Sequence, residues 1–146
     1  MSSSPNAAVA ASGILKVPRI HIVDAVVPNA GVQNPSMTIQ ADADFEWWWL
    51  SIFRTNALLK ALIAEAGSGN RQFVYSGNPQ AQNFQGILVD NLAGLVANNG
   101  ALPIAVPYVM PAGRIYTHQF QDQTSGANNT VQFAYHGFAL LKVATQ

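Results

Sequence analysis

The sequence has no cysteine. Disulfide staples and thiolate metal sites are therefore excluded, and nothing firm follows about redox compartment. Charge is almost as scarce. Lys plus Arg number 7, Asp plus Glu number 7, the formal net charge is zero, and charged residues make up only 10% of the chain, against about 25% in an average soluble domain. The few Lys and Arg are scattered and form no basic stretch, so nucleic acid is not an expected partner. No run approaches the ~18 uninterrupted apolar residues of a membrane-spanning helix. The N-terminus also lacks the basic segment and apolar core of a signal peptide. The expectation is a soluble protein with no membrane partner.

Catalytic signatures are missing as well. GxSxG, the phosphate-binding P-loop, GxGxxG and HExxH do not occur. Catalysis asks for a titratable pair in a cleft, and seven acids with three histidines, thinly spread, offer no obvious pair. His118 and His136 fall on segments that read as the two strands of a C-terminal hairpin, so they can approach each other. Each histidine, His21 included, is nevertheless read as structural. Asp42, Asp44 and Glu46 recur every second residue and share one face of a strand. Their spacing of about 7 Å is too wide for one ion, so no metal is expected. The reading is a protein that is not an enzyme and has no cofactor.

What is present is a chain of 146 residues, enough for one domain with a real core. Apolar residues make up 49%; Asn, Gln, Ser and Thr supply most of the polar surface. So little net charge promotes association, which suits a chain packed against copies of itself or a partner. Residues 43–54, ADFEWWWLSIFR, are its densest apolar stretch. Aromatic and β-branched residues favour a strand. Period two puts Phe45, Trp47, Trp49 and Phe53 on one side and Trp48, Leu50 and Ile52 on the other. A strand apolar on both faces must be covered twice: by its own core, and by a second sheet, a chain terminus or another subunit. Trp48, Leu50 and Ile52 are therefore candidate interface residues. Trp47 and Trp49, on a shared face, are also a conceivable sugar-stacking platform, although core tryptophans are the commoner case.

Residues 1–13 are small and polar, an N-terminal arm that cannot bury enough surface to order itself and that a neighbour would hold. Residues 14–146 form the single domain. Residues 14–27, ILKVPRIHIVDAVV, read as a strand pair or one bent strand, with Pro18 marking an edge or a bulge. Pro28-Asn29-Ala30-Gly31 and Asn34-Pro35-Ser36 read as turns. Residues 56–67, NALLKALIAEAG, carry helix formers with Asn56 as a possible cap, yet they sit between strand-like runs, and strand is preferred for 58–66. Gly67 to Asn70 reads as a hairpin turn into 71–75. Residues 77–85 read as a loop, 86–89 as a short apolar run, and 90–95 as a helical turn capped by Asp90. Residues 102–110, LPIAVPYVM, with Pro103, Pro107 and then Pro111, exclude a helix interior and a central strand. They predict an extended surface segment whose row Ile104, Val106, Tyr108 and Met110 either meets a partner or closes its own sandwich. The turn Pro111-Ala112-Gly113 launches 114–122, and 130–143 returns, with Gly137 a predicted bulge.

Several of these features, in order, resemble the small β-sandwich proteins that decorate tailed-phage heads. They are Ala43-Asp44-Phe45 opening a strand, the stretch from Pro103 to Pro111, the sequence PAGRI at 111–115, and the ending Val131 to Gly137-Phe138. The likeness runs from Ala43 onward. It implies an all-β antiparallel sandwich of jelly-roll type carrying the arm, and a structural virion protein located on the capsid surface after synthesis in the host cytoplasm. The implied role is a minor capsid or cement protein that binds the major capsid protein and stabilises the lattice, as a homotrimer at local three-fold positions. The alternatives are a tail, neck or fibre protein of the virion, or a carbohydrate-binding sandwich module.

Overall fold

The computed structural model describes residues 13–66, 72–74, 86–92, 94–95 and 102–143. The strands are β1 (Ile14–Val27), β2 (Val32–Gln33), β3 (Ser36–Thr38), β4 (Asp44–Arg54), β5 (Leu59–Glu65), β6 (Gln72–Val74), β7 (Ile87–Leu88), β8 (Gly94–Leu95), β9 (Leu102–Met110), β10 (Ile115–Asp122) and β11 (Asn129–Lys142). They form two sheets. The first runs β1-β11-β4, with β9 and the short β8 both on the far side of β4. The second has β2 and β3 on one side of β10, then β5, then β6 and β7. Among the described residues every pairing is antiparallel except β4 with β8. The arm expected at 1–13 lies outside the described residues save for Gly13, as do the turn at 67–70 and the loop at 77–85.

Alternation of side chains builds the core between the sheets. From the first sheet come Val23 and Val27 of β1, Phe133 and Tyr135 of β11, and Phe45 and Trp47 of β4; from the second come Leu59, Ile63, Tyr116 and Phe120. Aromatic rings meet edge to face in it, Phe120 with Phe133 at 5.0 Å across the two sheets and Trp47 with Tyr135 at 4.9 Å within the first, a preferred geometry for rings. Each such side chain contributes about 1.5–3 kcal/mol by leaving water.

The segment rich in helix formers is a strand. Leu59, Ala61 and Ile63 alternate into the core between β10 and the β6/β7 edge, and that burial outweighs a helix preference of a few tenths of a kcal/mol per residue. Asn56 does not cap a helix; its Oδ1 accepts the Leu58 N–H at 2.9 Å in a local turn. The stretch 14–27 is one unbroken 14-residue strand, and Pro18 sits on the sheet's edge without a bulge. The helical turn is 3-10, Val89–Asn91, and has no side-chain cap; Asp90 instead binds Arg54 through both carboxylate oxygens at 2.9 and 2.8 Å.

Two expectations are corrected. β10 and β11 are consecutive but belong to opposite sheets, so there is no C-terminal hairpin. His118 therefore lies in the core beside Tyr135, whereas His136 stands on the outer face of the first sheet, bonded to Ser51. The second correction is in β4. Its register against β11 jumps: Trp49 faces His136 while Trp47 faces Gly137. Trp48 is the extra residue of a bulge. Past it the parity reverses, so Leu50 and Ile52 join Phe45 and Trp47 inside, and Trp49 turns outward.

Candidate functional site

The bulge leaves the outer face of the first sheet as the site with the most unusual chemistry. Facing residues on β1, β11 and β4 form rows across it: Ile20–His136–Trp49, Ile22–Ala134–Ser51 and Asp24–Gln132–Phe53. Large apolar groups, Ile20, Ile22, Trp49 and Phe53, stand on the flanking strands β1 and β4, while β11 between them presents His136, Ala134 and Gln132. Ile20 and Ile22 are each 53% exposed, Val26 56% and Phe53 47%. Exposed large apolar groups gathered on one face are the informative kind. Between the ridges lies a trough over β11, with a 560 Å³ groove bounded by Ile20, Trp49 and Phe138, and a 440 Å³ groove between Val26 and Phe53.

At one end stand Trp48 and Trp49, ring centroids 5.7 Å apart and tilted 32°, both with Phe138 at 6.3 Å. The bulge is what brings two consecutive indoles near one face. It is held by hydrogen bonds: Trp47 Nε1–H donates to the Trp49 carbonyl at 2.8 Å, and Trp48 Nε1–H to Glu46 at 2.9 Å. Opposite, Gly137 is required, because a Cβ there would lie 1.8 Å from the Glu46 carbonyl oxygen.

Except for Asp24, the charges near this face are tied off within the chain. Lys16 reaches Glu46 at 3.0 Å, and Arg19 grips both oxygens of Asp42 at 2.9 and 3.0 Å. Burial acts to raise the Glu46 pKa, but hydrogen bonds from Trp48 and Lys16 outweigh it and hold the carboxyl below its usual range. The hydrogen bond from Arg19 likewise lowers Asp42. Asp44, the remaining acid of the triplet, accepts the Ala112 N–H at 2.8 Å. Asp42, Asp44 and Glu46 thus serve three separate contacts, and among the described residues no cluster of metal-ligating side chains occurs. Ser51 Oγ and His136 Nε2, 2.9 Å apart, tie β4 to β11.

The residues expected at an interface scatter. Trp48 is half-buried on the outer face. Leu50 and Ile52 are buried in the chain's own core and have no surface to offer a partner. Met110 is fully buried, and Ile104 and Tyr108 pack against the core from the edge strand β9. Only Val106, 73% exposed, projects. The reason is the β9 register: Trp49 faces Pro103 but Trp47 faces Tyr108, so 104–107 arch out of the ladder. The face at Ile20, Ile22, Val26, Phe53 and Phe138 was not singled out from sequence. Its signal was there, in the apolar residues at both parities of 14–27.

No family model, curated protein or solved structure matches the chain.

Proposed function

We propose that this chain is a structural assembly protein, a minor capsid or decoration protein that binds the major capsid protein on the outside of a phage head and stabilises the shell. The observation that carries the reading is the grooved outer face of the first sheet, rich in exposed apolar side chains, where Lys16, Arg19, Asp42 and Glu46 are paired within the chain and Asp24 is the one charge left to water. Such a face gains from being covered by a partner that is itself apolar and uncharged at the contact. The low charge of the whole chain agrees with a life in contact with neighbours.

Strand order supports the finer reading as a jelly roll. Counting β2 with β3, and β6 with β7, as one strand each and setting aside β8, eight strands remain. In chain order they run 1-8-3-6 in one sheet and 2-7-4-5 in the other, the arrangement expected of two nested Greek keys. Capsid proteins and lectins both use that architecture, so fold alone favours neither. The homotrimer expected from lattice symmetry remains a symmetry argument.

The test is binding of the purified chain to empty heads. Phe53→Asp should lower occupancy while the melting curve stays unchanged, because Phe53 is already half exposed. Full occupancy by that variant removes the face from the contact; failure of the wild type to bind heads removes the capsid reading. A copy number in the tens instead points to a tail, neck or fibre protein. One observation favours a second reading, a saccharide platform: the paired indoles Trp48 and Trp49 beside Phe138. Trp47, enclosed in the core, has no part in it. Glycan binding that Trp49→Ala abolishes with the fold intact would select this reading.

A further inference from the structure

β1 ends its sheet: among the described residues only β11 pairs with it. The Val143 N–H donates to the Gly13 carbonyl at 2.7 Å, in line with the register that sets Ile14 against Lys142. Odd-numbered residues of β1 therefore turn their backbone groups toward β11, since bonded pairs alternate along an antiparallel ladder. The far side of β11 agrees, because there an even residue is bonded: the Thr55 N–H donates to the Thr130 carbonyl at 3.0 Å. Even-numbered residues of β1 turn theirs to the free edge. Pro18 is even, so its missing N–H costs the β11 ladder nothing. Beyond it, Ile20, Ile22, Asp24 and Val26 present an uninterrupted row of donors and acceptors until Pro28, where the strand has ended. Residues 20–26 contain no proline or glycine, so over this window Asp24 is the one device that discourages pairing.

We propose that this edge pairs with the same edge of a second copy of the chain, antiparallel about a two-fold axis at Val23. With that axis Ile20 faces the copy's Val26 and Ile22 faces its Asp24, and the converse pairs follow by symmetry. All four residues direct their backbone groups to the edge. Pro18 then falls opposite Pro28 at both ends, so the ladder stops where neither strand has an N–H. Moving the axis to Ile22 sets Pro18 against Val26, and moving it to Asp24 sets Ile20 against Pro28; each leaves a carbonyl without its donor. The two-fold at Val23 is the register that satisfies the whole window. It places Ile20 beside Val26 on the outer face, covering side chains that are more than half exposed. Asp24 beside Ile22 is the least favourable pair and keeps its carboxylate in water on that face. A net charge of zero leaves no long-range repulsion between copies. The proposal does not rest on the capsid reading.

Sedimentation and amide hydrogen exchange of the full chain test it. The wild type should sediment as two copies. The amides of Ile20, Ile22, Asp24 and Val26 should exchange slowly although they face away from β11, and should speed up by about tenfold or more on dilution to monomer. Ile22→Pro removes one edge-facing donor at the parity where Pro18 is already tolerated, so the mass should halve with the circular dichroism spectrum unchanged. If that variant fails to fold, the dilution dependence of the four wild-type amides still decides. A wild type that is monomeric at all concentrations overturns the proposal. So does any oligomer, a trimer included, in which those four amides exchange as fast as in free edge strands.

Discussion

Gly137 shows how one residue serves the whole face. Its missing Cβ is what lets the Glu46 carbonyl close in across the bulge, and the bulge sets the direction of every side chain after Trp47. Gly137→Ala should therefore destabilise the domain by several kcal/mol, within the range for forced backbone shifts in a packed core. A lowered urea midpoint would report it; an unchanged one would mean the bulge relaxes freely. His118 makes a second residue-scale prediction. Enclosed in the core beside Tyr135, it is held neutral, and burial pushes its pKa down to about 4. The unfolded chain binds that proton near pH 6.5. The stability contributed is therefore complete above about pH 6.5 and is lost as pH falls toward 4, by about 3 kcal/mol in all. Urea midpoints measured from pH 7 to 4.5 should fall, and His118→Gln should flatten the slope. Asp122 acts lower still. Burial raises its pKa, but bonds from Ser125, Ala30 and Asn129 outweigh that and bring it to about 2, so its contribution is lost only below about pH 4.

Elements differ in how far local pattern dictated them. β11 reads as plain alternation and is so. β5 carries a helical composition, yet its period-two apolar row decides, because Leu59, Ala61 and Ile63 reach a core that a helix at that place would not fill. β4 is where pattern misleads, since one extra residue inverts the faces that follow. Leu50→Glu tests this. Leu50 is core, so the variant should fail to fold, the uncompensated buried charge costing several kcal/mol. A soluble, native-like monomer carrying it would return Leu50 to the surface. β9 keeps the edge position that its prolines require. Val106→Ser, at the crest of its arch, should leave the unfolding free energy, measured by urea titration, within the ±0.5 kcal/mol typical of surface changes.

For the whole molecule, the two sheets share one core, and among the described residues the outer face of the first sheet gathers Ile20, Ile22, Val26 and Phe53 in contact with solvent. If the chain decorates phage heads as proposed, removing residues 2–11 should leave the melting curve of the domain nearly unchanged while weakening attachment to heads. Equal occupancy with and without them would exclude an anchoring role for this segment.

The sequence by itself determined the all-β class, the turns at Pro28–Gly31 and Pro111–Gly113 with their closing bonds, the exclusion of 102–110 from a sheet's centre, and an irregularity at Gly137. These follow from backbone sterics and from period-two burial, which act over a few residues. The structure chose an edge over a bulge for Pro18 and put the extra residue opposite the glycine. Only the tertiary structure decided that β10 and β11 part into opposite sheets, separating His118 from His136. It alone placed the extra residue at Trp48, moving Leu50 and Ile52 inside and Trp49 out. Both depend on which strand lies opposite, and a partner some 85 residues away, as His136 is from Ser51, leaves no trace in the local pattern.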